Sequence, residues 1–461
     1  MDEDTLTLSF DNDNIPQEFT NFCRIVHESS GYSPYPWQIR LAQRVIRSGR
    51  WPSVIAAPTG AGKTSVVDVH VFAQIRAGLH QGANVPRRLA LIVNRRALVD
   101  DQFDYAQSLT NRLFSSAEGG NPTAMRYVRA LEKRSPQTAH YLVEHADVGE
   151  DIVQVVNLRG GQALRDPAMS SWRQWPDRVS ILCFTPEMFG SRLLFRGYGV
   201  GRGSREIEAG LLSYDTVAIV DEAHLSQQLV ITAQQVPRIE THAEHPLSLP
   251  PLQTVVCTAT PQKDSLMAGQ ALSQSHNDRY EEYAGDVNAI EVTEDDLDSN
   301  EQLRQRLHAC KPVSIVNLDC AINDPSRKEG LNSLIEEAIA IRDGVGGTVG
   351  VVVNTVASAV AVTRELRSRE HDGDVVMIVG RMRPFDRESI GQRYPGLLSS
   401  QGNPDVSFVV GTQTLEVGLD VGFSGMVTEL SSGDALAQRV GRVNRFADHS
   451  SSPIGVAGPP M

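Results

Sequence analysis

Short apolar runs bounded by glycine, proline or polar residues recur along the first half of the chain. They alternate with stretches whose apolar positions follow a helical period, such as residues 64–77. Alternation of this kind predicts a mostly parallel sheet flanked by helices. The predicted strands are residues 53–57, 89–94, 179–184, 216–220 and 254–257.

A second series of apolar runs follows, with predicted strands at residues 312–317, 350–354, 375–379, 406–411 and 425–429. Between the two series, residues 290–301 are acidic and lack periodicity, which predicts a linker. The predicted organisation is a lead segment (1–31), a first α/β lobe (32–289), the linker (290–301) and a second lobe (302–461). The sequence leaves open whether the second lobe is truncated at its end.

The composition is typical of a globular protein with more than one domain. A chain of 461 residues is too long for a single ordinary core, and no apolar run reaches the ~18 residues of a membrane span. The acidic start lacks the basic region of a signal peptide, so we expect a cytoplasmic protein. The 5 cysteines form no C-x-x-C pair, which argues against a disulfide framework or a cysteine metal site.

The net charge limits how this chain can bind nucleic acid. A formal charge of −13 argues against a protein that grips a polyanion with its whole surface. Local contacts are still available, because arginines cluster where they can hold phosphates, and a solvated surface is the alternative for each cluster alone. The clusters are Arg87, Arg88, Arg95 and Arg96; Arg192, Arg196, Arg202 and Arg205; and Arg381, Arg383, Arg387 and Arg393.

The strongest chemical signal is the motif Ala57-Pro58-Thr59-Gly60-Ala61-Gly62-Lys63-Thr64, between a predicted strand and a predicted helix. Glycines let backbone N–H groups curl around phosphates, and the helix N-terminus adds its dipole. In this context the motif predicts an ATP site, with lysine on the β- and γ-phosphates and a threonine hydroxyl on Mg²⁺. The residues assigned to it are Thr59, Gly60, Gly62, Lys63 and Thr64.

An acidic motif follows the predicted strand 216–220, namely Asp221-Glu222-Ala223-His224. Its carboxylates should lie beside the phosphate loop, where Asp221 would hold Mg²⁺ and Glu222 would act as general base on the attacking water. His224 would relay the nucleotide state to the other lobe or fill a polar interface, and the sequence does not distinguish these roles.

Two further positions in the first lobe are weaker candidates. A glutamine amide can read adenine N6 and N7 bidentately, which makes Gln38 the predicted adenine contact, with a surface glutamine as the alternative. Thr258 and Thr260 end the last predicted strand of this lobe, where their hydroxyls could couple the nucleotide to a nucleic-acid track.

The second lobe contributes an arginine motif, Gln438-Arg439-Val440-Gly441-Arg442-Val443-Asn444-Arg445. Gln438, Arg442 and Arg445 are at helical spacing and are expected on one face, where guanidinium groups can neutralise charge developing on the γ-phosphoryl group. Just before this motif, we expect Thr412 to hold a nucleic-acid phosphate, Gly418 to approach the γ-phosphate and Asp420 to bind the ribose.

Together, APTGAGKT, DEAH, TAT, GTQTLEVGLD and QRVGRVNR resemble the motifs of superfamily 2 helicases. GRVNR, with NRRALVDDQ, LRGG and SRLLFRGYG, resembles the helicase half of the CRISPR-associated helicase-nuclease of type I systems, with the I-U type as the candidate branch. The resemblance implies two tandem RecA-like lobes with the ATP site between them. By matching motif position it also implies nucleic-acid contacts at Asn94, Arg95, Arg96, Thr185, Ser191, Arg192, Asn354, Thr355 and Thr412.

The resemblance implies ATP-driven 3′→5′ movement on the DNA strand displaced when a guide-RNA surveillance complex opens a target duplex. That family carries a fused histidine–aspartate nuclease, and we can assign no such ligand set among the 12 histidines. We therefore expect the nuclease to be supplied by another domain or subunit. For Phe195 and Tyr198 we favour packing within their loop over stacking on bases.

The sequence predicts an ATP-dependent, Mg²⁺-requiring translocase on single-stranded DNA. Two rival functions remain. One is a superfamily 2 helicase that acts on RNA or in DNA repair, and the other is a nucleotide-gated clamp that recruits a partner without translocating.

Overall fold

The computed structural model describes residues 14–80, 84–144, 152–160, 171–240, 247–258, 289–318, 320, 322, 328–369, 373–380, 382–397, 402–416, 421–445 and 451–458. The chain divides into two compact units. Unit 1 comprises Met1–Pro58 and Gly62–Asn300, and unit 2 comprises Thr59–Ala61 and Glu301–Met461. Within the described ranges, no helix is long and apolar enough to cross a membrane.

The described residues of unit 1 form a seven-stranded sheet in which every pairing is parallel, in the order β3-β4-β2-β5-β6-β1-β7. The central strands are buried on both faces, which explains why their sequences are almost uniformly apolar. The strands are β1 Val54–Ala56, β2 Arg88–Ile92, β3 Val153–Leu158, β4 Val179–Phe184, β5 Thr216–Asp221, β6 Gln253–Thr258 and β7 Ala289–Glu291.

Helices cover this sheet. One of them, Ile15–Val26, lies in the predicted lead segment, yet it buries Phe19 and Phe22 in unit 1, and the Phe22 ring lies 5.5 Å from that of Phe72 between centroids. The described helices of unit 1 are Ile15–Val26, Pro36–Ser48, Val66–Leu79, Arg96–Glu118, Pro122–Arg134, Pro136–Glu144, Pro186–Leu193, Arg202–Ser213, Gln227–Glu240 and Glu294–Ser299.

Where unit 2 is described, it has a six-stranded, all-parallel sheet in the order β10-β11-β9-β12-β13-β8. Its described helices are Glu301–Leu307, Glu329–Val345, Val356–Ser368, Pro384–Arg393 and Gly433–Val440. One core cluster forms where the sheet meets the helices Glu329–Val345 and Val356–Ser368, and a second includes Tyr394, Leu397 and Phe423. The strands are β8 Val313–Asn317, β9 Val349–Val352, β10 Asp374–Ile378, β11 Val406–Gly411, β12 Gly425–Glu429 and β13 Ile454–Gly458.

The predicted fold class of two parallel α/β lobes is confirmed, and each predicted strand lies within two residues of an observed one at both ends. Three observed strands were not predicted: β3, β7 and β13. Polar Gln154 and Asn157 interrupt the apolar pattern of β3, β7 has only three residues, and β13 contains two glycines. Such sequences do not carry the usual strand signature.

The segment expected to form the linker, residues 290–301, is largely structured within unit 1. It continues β7, which pairs with β1, and contains the helix Glu294–Ser299. Arg40 pairs with Asp296 and donates a hydrogen bond of 2.7 Å to the Glu291 carbonyl oxygen. The division between the units falls at Asn300 and Glu301, at the end of the predicted linker.

Candidate functional site

The predicted phosphate loop connects β1 to a 3-10 turn at Lys63–Ser65 and the helix Val66–Leu79. Gly60 and Gly62 adopt φ values of 89° and 77°, a left-handed conformation that other residues rarely adopt. A Cβ atom at Gly62 would come within 2.8 Å of Gln38 Nε2. Glycine at this position therefore meets two requirements, the backbone conformation and the close approach of Gln38.

Gln38 lies in the first turn of the helix Pro36–Ser48 and is only 2% exposed. Its Oε1 accepts a hydrogen bond of 2.8 Å from the Tyr35 backbone N–H, and its Nε2 donates one of 3.1 Å to the Gly62 carbonyl oxygen. The Gln38 side chain thus stabilises the phosphate loop. After these two bonds the Gln38 amide still has one N–H donor and one acceptor lone pair with which to contact adenine. The adenine contact therefore stays a prediction.

Lys63 faces the acidic motif across the carboxyl edge of the sheet. Only β6 separates β1 from β5, and the parallel strands bring their carboxyl ends to one edge. Lys63 Nζ lies 3.7 Å from Asp221 Oδ1 and 3.5 Å from Glu222 Oε1. Burial alone would lower the pKa of Lys63, but the nearby anionic groups, with Asp221 the strongest, raise it above its usual value. The lysine is held as a cation.

The residues predicted to hold Mg²⁺ fit a hard, oxygen-ligated cation. Asp221 Oδ1 is buried and accepts no hydrogen bond from the described residues, with Lys63 Nζ at 3.7 Å as its ion-pair partner. A carboxylate oxygen of this kind is a ligand that Mg²⁺ prefers. The Thr64 hydroxyl adds a second oxygen in the turn that follows the loop. Mg²⁺ usually completes its coordination with phosphate oxygens and water.

Glu222 has φ of 48°, a left-handed conformation that is strained for a residue with a side chain. Its Oε2 lies 3.4 Å from His224 Nδ1 in the 3-10 turn Ala223–Leu225. Strain of this kind is common where a structure must aim a functional side chain. His224 therefore touches the predicted general base directly. Thr258 lies at the end of β6 and is 8% exposed, whereas Thr260 lies outside the described residues.

Several predicted nucleic-acid contacts lie at the same edge of the unit 1 sheet. Asn94 and Thr185 follow β2 and β4, which are neighbours with Ile92 opposite Phe184. Asn94 Oδ1 accepts a hydrogen bond of 2.7 Å from Ser226 Oγ. Thr185 is the N-cap residue of the helix Pro186–Leu193, and Arg95 and Arg96 begin the helix Arg96–Glu118. The parallel sheet thus brings together residues that are far apart in sequence.

Arg192 does not fit the nucleic-acid contact expected of it. Its side chain is 2% exposed, and its Nε lies 3.2 Å from Oε2 of Glu208, which is also buried. Reaching a phosphate would require breaking this buried ion pair, which is costly. Ser191, its neighbour, accepts a hydrogen bond of 3.0 Å at Oγ from the Tyr198 backbone N–H. Arg192 therefore has a structural role, whereas the Ser191 hydroxyl keeps a proton to donate, and its nucleic-acid contact stays a prediction.

One predicted contact of unit 2, Asn354, belongs to a hydrogen-bond network around the buried Arg439. Arg439, 1% exposed, donates to Glu416 Oε1 at 2.8 Å, Thr428 Oγ1 at 2.7 Å and Asn354 Oδ1 at 3.0 Å. It also donates to the Glu429 carbonyl oxygen at 2.7 Å. The arginine thereby ties the ends of β9 and β12 to the helix Gly433–Val440.

Asn354 makes two further hydrogen bonds. Its backbone N–H donates to Glu429 Oε2 at 2.7 Å, and its Nδ2 donates to the Leu430 carbonyl oxygen at 2.8 Å. Thr355 caps the helix Val356–Ser368 by accepting a hydrogen bond from the Ser358 N–H at 3.0 Å, and Thr412 follows β11 with 8% exposure. Their roles as nucleic-acid contacts stay predictions. The sequence did not single out Arg439 or Glu416, although both lie inside recognised motifs.

The expected helical face of the arginine motif is wrong. The helix Gly433–Val440 contains Gln438 but ends before Arg442 and Arg445. Asn444 has φ of 46°, and Phe423 bridges to Val443 in a strand-like pairing, which pulls the chain away from the helix axis. Arg442 Nε donates a hydrogen bond of 3.0 Å to the Glu416 carbonyl oxygen. Gly418 and Asp420 lie outside the described residues.

We expect Arg439→Ala to lower the free energy of unfolding by about 3–5 kcal/mol, because it leaves Glu416 as an unpaired buried charge. Urea unfolding followed by circular dichroism measures the effect. Arg364→Ala, an exposed arginine on the helix Val356–Ser368, is the matched control and should change stability by no more than about 0.5 kcal/mol. Equal stability of the two variants would contradict a structural role for the network.

Comparison with known proteins identifies the family. Residues 35–268 match the model of the DEAD/DEAH box helicases, and residues 345–448 match that of the CRISPR-associated nuclease/helicase Cas3, C-terminal. The chain belongs to the DEAD/DEAH box helicases. This membership implies ATP-dependent helicase activity, and the resemblance inferred from the motifs is confirmed.

Two curated relatives extend the Cas3 similarity. The helicase is 30% identical over 111 residues to the CRISPR-associated nuclease/helicase Cas3 of Streptococcus thermophilus, which covers 23% of this chain and 12% of the relative. It is 32% identical over 105 residues to the CRISPR-associated helicase Cas3 of Thermoproteus tenax, covering 23% of this chain and 17% of the relative. The matches therefore span a small part of each relative's length.

A solved structure supports the fold. The crystal structure of T. fusca Cas3 superposes on the helicase with a TM-score of 0.58 and 17% sequence identity. The superposition covers 95% of this chain and 48% of that chain. At this identity the likeness concerns the fold, which is that of tandem RecA-like lobes.

Proposed function

We propose that this helicase is an ATP-driven translocase on single-stranded DNA that acts in type I CRISPR interference and unwinds target DNA for a nuclease. The observation that carries the proposal is the cluster of Lys63, Asp221 and Glu222 at the carboxyl edge of the unit 1 sheet. Similarity to Cas3 over residues 345–448 supports the CRISPR context. The proposed partners are a guide-RNA surveillance complex and a nuclease domain or subunit supplied elsewhere.

Hydrolysis would proceed with the following division of roles. The Lys63 ammonium neutralises the β- and γ-phosphate oxygens, and the N–H groups of the loop around Thr59, Gly60 and Gly62 hold the phosphates in place. Glu222 orients the attacking water and accepts its proton. Thr64 and Asp221 would hold Mg²⁺, which supplies further neutralisation of phosphate charge.

The unit 2 residues would complete the reaction. We assign Arg445 and Arg442 to the charge that develops on the γ-phosphoryl group, and Gln438 lies near them in the chain. Gly418 is assigned to the γ-phosphate and Asp420 to the ribose. His224, Thr258 and Thr260 would couple the nucleotide state to the bound strand. Arg439 is a positioning residue in this scheme, since it is buried and contacts the motif residues Glu416 and Asn354.

The strand would be held mainly through its phosphates. The proposed contacts are Asn94, Arg95, Arg96, Thr185, Ser191, Asn354, Thr355 and Thr412. All but Ser191 follow strands or begin helices in the two units. Hydroxyls, amides and helix N-termini at such positions are suited to phosphate oxygens. Arg192 is left out because it is buried against Glu208.

We expect single-stranded DNA to stimulate ATP hydrolysis more than RNA or duplex DNA does. Stimulation should fall steeply as salt rises, because each phosphate contact releases a counterion. Steady-state phosphate release with oligonucleotides of equal length and sequence measures both effects. Equal stimulation by RNA would favour the rival RNA or repair helicase.

The clamp alternative is tested separately. A translocating enzyme displaces a labelled strand annealed ahead of it, and displacement requires ATP turnover. A nucleotide-gated clamp would bind the same substrate and leave the labelled strand in place. Absence of displacement in the presence of stimulated hydrolysis would contradict translocation.

A further inference from the structure

One loop of unit 1 exposes an unusual amount of apolar surface. We define the aromatic loop as residues 194–200, between the helices Pro186–Leu193 and Arg202–Ser213. Leu194, Phe195 and Tyr198 are 54%, 59% and 66% exposed. Packing of Phe195 and Tyr198 within the loop was the favoured interpretation of the sequence, and these exposures contradict it.

The aromatic loop is held in place by its own backbone. The Arg196 and Gly197 N–H groups both donate to the Ser191 carbonyl oxygen, at 2.8 and 2.9 Å, and the Tyr198 N–H donates to Ser191 Oγ at 3.0 Å. The Phe195 N–H donates to the Arg192 carbonyl oxygen at 3.1 Å. The rings are therefore carried on an ordered scaffold, which reduces the entropy lost when a ligand binds.

The conformation of the loop is unfavourable for its sequence. Phe195 has φ of 60°, in the left-handed region that a bulky residue adopts only with strain. A Cβ atom at Gly197 would lie 2.7 Å from Arg205 Cγ, so this glycine is required where the loop crosses the next helix. Strain that turns a phenyl ring into solvent does not serve packing, and it indicates a binding role.

A buried ion pair fixes the base of the aromatic loop. Glu208, on the helix Arg202–Ser213, lies 3.2 Å from Arg192 on the helix Pro186–Leu193, and Arg173 lies 3.1 Å from its other carboxylate oxygen. Arg192 and Glu208 are 2% and 1% exposed. This pair sets the distance between the two helices that the loop connects.

The charge around the rings is positive. Between residues 194 and 207 the charged residues are Arg196, Arg202, Arg205 and Glu206, and Arg196 and Arg202 are exposed. The chain as a whole carries −13. The protein is acidic overall, so this local positive charge is distinctive. Exposed aromatic rings beside arginines suit a ligand that has flat apolar faces and negative charge.

We propose that the aromatic loop is a base-stacking subsite for single-stranded DNA. The rings of Phe195 and Tyr198 stack on bases, and Arg196 and Arg202 hold the adjoining phosphates. The inference rests on the proposed function. It adds a site that binds DNA of any base sequence, since every base has a flat face that can stack on a ring. The helix Pro186–Leu193 leads into the aromatic loop, and Thr185, a proposed phosphate contact, is its N-cap residue. Its eight residues place Thr185 about 12 Å from the loop along the helix axis.

The test uses the full chain and two fluorescently labelled strands of equal length, an oligodeoxythymidine and an abasic strand with the same phosphates. The variant Phe195→Ala/Tyr198→Ala should bind the oligodeoxythymidine at least about fivefold more weakly than the wild type. Its affinity for the abasic strand should be unchanged, because no base is present to stack. Its salt dependence should also keep the wild-type slope, because no phosphate contact is removed.

Matched variants separate stacking from other causes. Ile207→Ala removes a 50% exposed apolar side chain from the neighbouring helix and should bind as the wild type does, and Phe195→Tyr should retain affinity. Equal loss on both strands, or no loss on either, would overturn the subsite while leaving the translocase proposal intact. A wild-type chain that binds neither strand would overturn both proposals. Thermal unfolding of each variant confirms that the loss is not due to misfolding.

Discussion

Lys63→Ala is expected to abolish ATP hydrolysis, and Glu222→Gln is expected to bind ATP and fail to turn it over. Lys63 is the cation beside Asp221 and Glu222, at 3.7 and 3.5 Å, so its replacement removes the charge that neutralises both carboxylates and the β- and γ-phosphates. Glu222→Gln keeps the shape of the pocket but removes the base. We expect it to lower kcat by about 10²–10⁴-fold, with the dissociation constant for ATP changed only a few-fold.

Single-turnover hydrolysis and equilibrium binding of a fluorescent ATP analogue measure the two quantities separately. Glu132→Gln is the control, since Glu132 is an exposed carboxylate on the helix Pro122–Arg134 and its loss should affect neither. Normal turnover in Glu222→Gln would show that another group is the base. His224, 3.4 Å from Glu222, would then be the first residue to examine.

The second large effect is expected at the arginine motif. Arg445→Ala should lower kcat by about 10³–10⁵-fold with little change in nucleotide affinity, because a guanidinium group that acts on developing charge contributes mainly in the transition state. Arg442→Ala should also lose activity. Part of that loss will be structural, because Arg442 donates a hydrogen bond to the Glu416 carbonyl oxygen.

The control for both arginines is Arg364→Ala, which removes an exposed guanidinium from the same unit. Comparing kcat with kcat/KM shows whether each arginine stabilises the transition state or only binds the substrate. A raised KM with an unchanged kcat would indicate ground-state binding only. An unchanged rate in Arg445→Ala would mean that unit 2 does not contribute to hydrolysis. The translocase proposal would then fail, because it requires both lobes to respond to the same nucleotide.

Features that depend on local pattern could be predicted from the amino-acid sequence alone. The phosphate loop was predictable because glycines at this spacing, between a strand and a helix, are typical of phosphate-binding loops. In the structure Gly60 and Gly62 adopt the left-handed conformations that this motif requires. Ten strands followed from short apolar runs between turn residues. The placement of Asp221 and Glu222 beside Lys63 also followed, because parallel strands bring their carboxyl ends to one edge.

Which polar side chains are buried and which apolar ones are exposed depends on contacts between elements that are distant in sequence. Arg192 was expected to contact a phosphate, but it forms an ion pair with Glu208 from another helix. Arg439 donates hydrogen bonds to residues of three separate segments. Phe195 and Tyr198 were expected to pack, and their loop turns them outward. Burial depends on elements far apart in the chain, and residue type and spacing carry no information about those neighbours.

The same limit applies to the end of the arginine motif and to β13. Helical spacing placed Gln438, Arg442 and Arg445 on one face, but pairing of Phe423 with Val443 ends the helix after Val440. β13, with two glycines among five residues, has little strand propensity and becomes a strand because β12 and β8 pair with it on either side. Local preference is weak, on the order of 1 kcal/mol per residue, and pairing with neighbouring strands overrides it.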